Sequence, residues 1–354
     1  MEKAMEAVST PSCDPVDPLW TVSTFKTRRV SSSDSVYING LQQIKVEVEL
    51  LILDGETPVT LSPTERASVT IALYNTGTPL PPDGNGDAPT GWAVSPAVEN
   101  PFDDTHSNGY LDYPGGLLPE MSPRAVGSHY FYVFLVCRTG VAQKVNFCAT
   151  IQCDDGWIYR TNGIDTDNCG EDHDAGAIAG TPLEVESKEP DTYPIEHYPF
   201  IRKVISGAPG NPAFVHHYLL SFIDGRSREV GLRKLELAPK GMIQWHSNVP
   251  DGEFRASFTG YAEPDSTQLH WNDPEHVPVG ASPLPALDAS VISKTKGIVV
   301  LVGRDDIRYQ SGRDYAQGPC NVTAVDAYGN TVSLSVAFKD KTSEGRLELV
   351  LASR

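Results

Sequence analysis

The strictest constraint on this chain is a side-chain period of two. Ile44, Val46, Val48, Leu50 and Ile52 alternate with Lys45, Glu47 and Glu49 over part of the run, which puts one face of an extended strand on a core and the other toward water. The alternation returns at Val145, Phe147, Ala149 and Ile151, at Val332, Leu334, Val336 and Phe338, and at Leu347, Leu349 and Leu351. Residues 130–137 are apolar on both faces and read as a central strand, paired in a hairpin with 145–151 through Arg138-Thr-Gly140. The clearest helix signal is Ser62-Pro63-Thr64-Glu65, a capping box with Pro at the first helical position, and it predicts a single turn. The chain is therefore expected to be all-β, with two to three β-sandwich domains rather than a parallel α/β sheet.

A length of 354 residues also favours several cores over one. Residues 1–33, rich in Pro, Ser and Asp, read as an extended arm, and 34–185 as a β-sandwich. An acidic stretch from Gly170 to about Pro194 reads as a linker. Residues 186–285 form a second β domain, with a hairpin of 214–223 and 226–237 around Asp224-Gly225. Pro278, Pro283 and Pro285 mark a further boundary before a C-terminal domain, 286–354.

Within that last domain, Asn321-Val-Thr-Ala-Val-Asp-Ala-Tyr-Gly-Asn330 followed by Thr331-Val-Ser-Leu resembles the strand, Asp-x-x-Gly-Asn turn and strand of bacterial immunoglobulin-like repeats in invasin-type adhesins. The resemblance covers about 20 residues, with a fainter echo over Val48 to Val59, at Asp54-Gly-Glu-Thr-Pro-Val59. It implies an Ig-like sandwich and a role in adhesion or as a rigid spacer. The chain departs from the family in lacking tandem copies of one period and an outer-membrane barrel.

The net charge of −18 opposes nucleic acid and anionic lipid as partners. Residues 1–13 hold no apolar core of signal-peptide length, and the longest apolar run, Gly297–Gly303, is too short for a transmembrane helix. Synthesis in the cytoplasm without a Sec signal is expected, with any export by another route or by maturation from a longer precursor. Cys13, Cys137, Cys148, Cys153, Cys169 and Cys320 lack zinc-site spacing and read as mostly buried thiols, with a Cys153–Cys169 bridge as the alternative.

Asp165, Asp167, Asn168 and Asp172 offer hard oxygens to calcium, although an EF-hand frame from Asp165 ends on Gly176 where the bidentate Glu belongs. Asp83-Gly-Asn-Gly-Asp87 has the same flaw. His216 and His217 are adjacent on a strand and point to opposite faces, whereas His270 and His276 flank Pro274 and could converge. Trp245 and Trp271 are candidates to stack on a sugar or a partner ring. In the arm, Leu19 and Trp20 are apolar, and Lys26, Arg28 and Arg29 are basic in an acidic chain. These five are candidates to dock on the chain's own body or on a second copy, between which the sequence does not choose. Nucleophile elbow, P-loop, His-Glu-x-x-His and dinucleotide motifs are missing, which argues against an enzyme. The expectation is a non-enzymatic structural or adhesive protein with no cofactor unless calcium, self-associating or facing a host surface or glycan. The alternatives are a secreted β-rich insecticidal or pore-forming toxin and a carbohydrate-binding protein.

Overall fold

The computed structural model describes residues 14, 16–18, 20–31, 33–83, 90–95, 126–174, 180–207, 211, 213–247, 255–271, 277–278, 280–309, 316–342 and 344–354. Strands dominate, and α1 (Pro63–Ser68) is the only α-helix among the described residues. Its capping box is formed: the Ser62 hydroxyl accepts from the Glu65 amide at 3.2 Å and the Glu65 carboxylate accepts from the Ser62 amide at 2.8 Å. No helix among the described residues is long and apolar enough to cross a membrane. The chain divides into two compact units, with the break between Glu189 and Pro190.

The first unit begins with β1 (Thr21–Arg29), β2 (Ser35–Tyr37), β3 (Ile44–Asp54), β4 (Thr57–Pro58), β5 (Thr70–Leu73) and β6 (Trp92–Ser95). It continues through β7 (His129–Cys137), β8 (Lys144–Gln152), β9 (Ile158–Arg160), β10 (Ile164–Thr166), β11 (Asp172–Asp174) and β12 (Leu183–Lys188). One sheet runs β1-β3-β7-β6 and the other β11-β10-β9-β8-β12-β2, with β5 also on β8. Their inner faces share one core, in which Ile44, Val46, Val48, Leu50, Ile52 and Leu135 of the first sheet join Ile71, Phe147, Ala149, Ile151 and Val185 of the second. The period-two residues are the core residues, as a half-buried strand requires.

Three expectations for this region are corrected. Strands β7 and β8 do not form a hairpin: β7 pairs with β3 and β6, β8 with β5, β9 and β12, so the segment between them crosses from sheet to sheet. The acidic stretch after Gly170 is not a linker, because β12 lies within it and buries Leu183 and Val185. The arm does not extend to residue 33, since β1 is an edge strand of the first sheet with Val22 and Phe25 in the core. These two are three apart, and a bulge between Val22 and Thr24 brings them to one face.

The second unit holds β13 (Phe200–Ser206), β14 (Phe214–Leu220), β15 (Phe222–Ile223), β16 (Glu229–Val230), β17 (Leu232–Ala238) and β18 (Ile243–Ser247). It closes with β19 (Arg255–Ala262), β20 (Gly297–Arg304), β21 (Cys320–Asp326), β22 (Thr331–Phe338) and β23 (Leu349–Ser353). The larger sheet is β13-β14-β20-β19-β18, the smaller β17-β21-β22-β23. They meet where the Leu349 amide donates to the Tyr218 hydroxyl at 3.0 Å and where Leu235 lies over Gly297.

A boundary at residues 285/286 is not present, because β20 sits between β14 and β19 at the centre of the larger sheet. The proline-rich segment is a connection within this unit, anchored by buried Ala281 and Val291. The hairpin around Asp224 is limited to β15 and β16, while β14 and β17 enter different sheets. Strands β21 and β22 form the hairpin that the sequence indicates, with Leu334, Val336 and Phe338 buried.

Candidate functional site

Three turns in the two units share one device. Asp167, Asp224 and Asp326 each accept through Oδ1 from the amides two and four residues on, at 2.8–3.0 Å: Cys169 and Glu171, Arg226 and Arg228, Tyr328 and Asn330. In each turn the residue three positions on from the aspartate has positive φ: Gly170, Ser227 and Gly329. A carboxylate that satisfies two amides replaces the ladder hydrogen bonds that a three-residue loop cannot make. The second oxygen distinguishes them. It meets His173 Nε2 at 2.9 Å in the first, the Arg228 guanidinium at 2.8 Å in the second and Asn330 Nδ2 at 2.9 Å in the third.

The calcium candidates are used in this way. Asp167 holds its turn, and the His173 ring, followed by the Glu171 amide, lowers its pKa. Asp165 accepts from the Arg160 amide at 2.9 Å, Asp172 from the Thr166 hydroxyl at 2.7 Å, and Asn168 Oδ1 from the Val16 amide at 3.0 Å. Among the described residues no three His, Cys, Asp or Glu side chains are grouped to hold a metal ion. Of Asp83–Asp87 only Asp83 is described, and it holds Arg138 through both carboxylate oxygens. Cys169 is disulfide-bonded, against the expectation of a thiol, while Cys137, Cys148, Cys153 and Cys320 are free and buried. A Cys153–Cys169 bridge is therefore excluded.

Of the arm candidates, Arg28 and Trp20 find partners in their own unit. Arg28 Nε lies 2.6 Å from the buried Glu47 carboxylate, which also accepts from Tyr132 at 3.0 Å, and Glu47 raises the Arg28 pKa. Lys26 is exposed opposite Glu49, and Arg29 stands opposite Val46. Trp20 packs on the core, its carbonyl accepts from the Tyr159 hydroxyl at 3.4 Å, and the Val16 carbonyl accepts from Trp157 Nε1 at 2.7 Å. Leu19 lies outside the described residues. Of the three basic candidates, Arg28 has its acidic partner within its own unit.

Of the two tryptophan candidates, Trp271 packs against the core of the second unit, 5.8 Å from the Phe258 ring and directly over Gly260, where a Cβ would come within 2.6 Å of it. His270 stacks on Tyr261 at 4.9 Å, and His276 lies outside the described residues. His216 and His217 are both buried in β14, and neither ring nitrogen of His217 has a hydrogen-bond partner. Burial lowers the pKa of both rings.

Trp245 is placed differently. It lines a pocket of about 290 Å³ with Ile243, Gln244, His246, Tyr309, Gln317 and Lys341. The pocket lies beside edge strand β18, where a bulge between Trp245 and Ser247 breaks the pairing with β19. Bulges re-aim side chains in this manner. Two connections close onto the strand. The Ile243 amide donates to the Ala316 carbonyl at 2.5 Å, which brings Gln317 alongside, and Gln244 Nε2 donates to the Asp340 carbonyl at 2.8 Å, which brings Lys341. The Asp340 carboxylate caps its own loop at the Thr342 amide, 2.7 Å away, and at the Thr342 hydroxyl. Buried Arg346 ties the end of that loop to β19 through Ser257 Oγ at 2.9 Å.

Trp245 and Tyr309 meet edge to face at 5.6 Å, and Tyr309 keeps 38% of its surface exposed. Gln317, His246 and Lys341 engage no other group among the described residues. The sequence indicates Trp245 alone of these residues. Tyr309, Gln317 and Lys341 come from three other segments with no shared local pattern, and only the closure of the sheet brings them to β18.

No protein-family model matches this chain, and no curated protein is similar to it in sequence.

Proposed function

We propose that this chain is a non-enzymatic adhesive protein whose second unit binds a saccharide in the Trp245–Tyr309 pocket. The supporting observation is the lining itself: an aromatic pair, two primary amides and a lysine around about 290 Å³. A pyranose ring presents an apolar C–H face that lies on aromatic rings, and hydroxyls that pair with amides able to donate and accept at once. The volume lies just below the roughly 300–1,000 Å³ typical of ligand pockets, which suits one sugar ring rather than a long oligomer. Glycoside hydrolysis would require two carboxyl groups about 5–9.5 Å apart, and the described lining carries none. The adhesive part of the reading rests on the resemblance of residues 321–334 to invasin-type Ig-like repeats, a segment that spans the β21–β22 hairpin.

A glycan array probed with the full chain and with Trp245→Ala tests the proposal. Binding to a subset of glycans is expected, with a loss of at least about tenfold in the variant. An empty array, or binding that Trp245→Ala leaves intact, would refute it.

A further inference from the structure

Resting on that saccharide reading, we infer that the pocket selects an acidic sugar, a uronate or sialate, whose carboxylate is bound by Lys341. Acidic residues outnumber basic ones 46 to 28 in this chain, yet the described lining contains Lys341 and His246 and no Asp or Glu. The carboxylate next in sequence, Asp340, is turned into its own loop by Thr342, and the Thr342 hydroxyl and amide hold it below the usual carboxylate range. Its Oδ1 is taken by the Thr342 amide and hydroxyl, and it forms no ion pair with Lys341. The nearby Arg304 and Asp306 neutralise each other at 2.7 Å. Lys341 makes no ion pair among the described residues.

The root of that side chain is fixed by the backbone. Gln244 holds the Asp340 carbonyl, Asp340 caps Thr342, and Thr342 Oγ1 accepts from the Gly345 amide at 3.0 Å. A side chain at Gly345 would collide with the Asp340 carboxylate, so the turn keeps its form only with glycine there. The lysine stem is thus rooted beside Gln244 while its head is left to a ligand. The carboxylate of a sugar whose ring stacks on Trp245 and Tyr309 would meet a cation that has no competing partner among the described residues. Charge-assisted hydrogen bonds of this kind are about twice as strong as neutral ones.

Calorimetry on the full chain, with trigalacturonate against its methyl ester, sialyllactose against lactose, and inorganic phosphate alone, tests the inference. The acidic sugars are expected to bind about tenfold more tightly than their neutral counterparts. Lys341→Gln should abolish that preference and Lys341→Arg should retain it, while Trp245→Ala should weaken acidic and neutral sugars alike. Whichever acidic sugar binds more tightly distinguishes uronate from sialate. Equal binding of acidic and neutral sugars, or a preference that survives in Lys341→Gln, would overturn the inference and leave the saccharide reading standing. Phosphate binding as tight as that of the sugars would show an anion site without sugar selectivity and overturn it too. No binding to any sugar would overturn both.

Discussion

At the scale of single residues, the aspartate turns show how one device acquires opposite pH dependence. Burial pushes the Asp326 carboxyl up to about 6, against the amides of Asn330 and Tyr328 that favour its charged form. For Asp224 burial acts in the same direction, but the Arg228 amide and guanidinium and the Arg226 amide outweigh it and lower the pKa. A raised pKa means that the folded state holds its proton longer than the unfolded chain. The contribution of Asp326 is therefore fully present below its unfolded value of 3.8 and is lost as pH rises through about 6. Between about pH 4 and pH 7 the stability of the native protein relative to Asp326→Asn should fall by up to about 3 kcal/mol, read from urea melts. A constant difference would contradict this account. His217 acts in the reverse sense, since its folded pKa lies below 6.5 and the unfolded chain takes up the proton first. Stability should decline as pH falls below 6.5, and His217→Leu should flatten that decline in the same melts. A profile unchanged by the substitution would show that His217 does not titrate on unfolding.

At the scale of elements, the edge strand β1 carries a clear consequence. Val22 and Phe25 are 5% and 2% exposed, and burying each contributes about 1.5–3 kcal/mol. Removing residues 1–29 should thus lower the melting temperature of the first unit and expose its core to a hydrophobic dye, whereas an unchanged melt would mean that the strand is dispensable. The reason this strand was hidden in the sequence is the bulge, which sets its two core residues three apart and erases the period of two. Strands without a bulge, such as β3 and β22, were legible because their alternation is intact. Partners were not legible in the same way. The apolar pattern of β7 and β8 states that each is buried, but a facing sheet satisfies that pattern as well as an adjacent strand does. The capping box of α1 was read correctly because all its atoms lie within four consecutive residues. The pocket shows the opposite limit: Trp245 draws attention as an aromatic, while Tyr309, Gln317 and Lys341 gain meaning only through long-range closure.

At the scale of the whole molecule, the position of β20 decides how many folding units the second half contains. A fragment of residues 190–354 should give a β-type circular dichroism spectrum and a cooperative melt, because its two sheets meet within that range. A fragment of 286–354 should not fold, since β20 would lose both β14 and β19 as neighbours. Cooperative folding of the shorter fragment would restore a third independent domain. The central claim, that the second unit carries a saccharide site, is tested most directly by a crystal structure of the full chain soaked with sialyllactose or trigalacturonate. The account expects a sugar ring seated against Trp245 and Tyr309 with its carboxylate at Lys341. An empty pocket at saturating sugar, or a ligand bound elsewhere on the molecule, would contradict it.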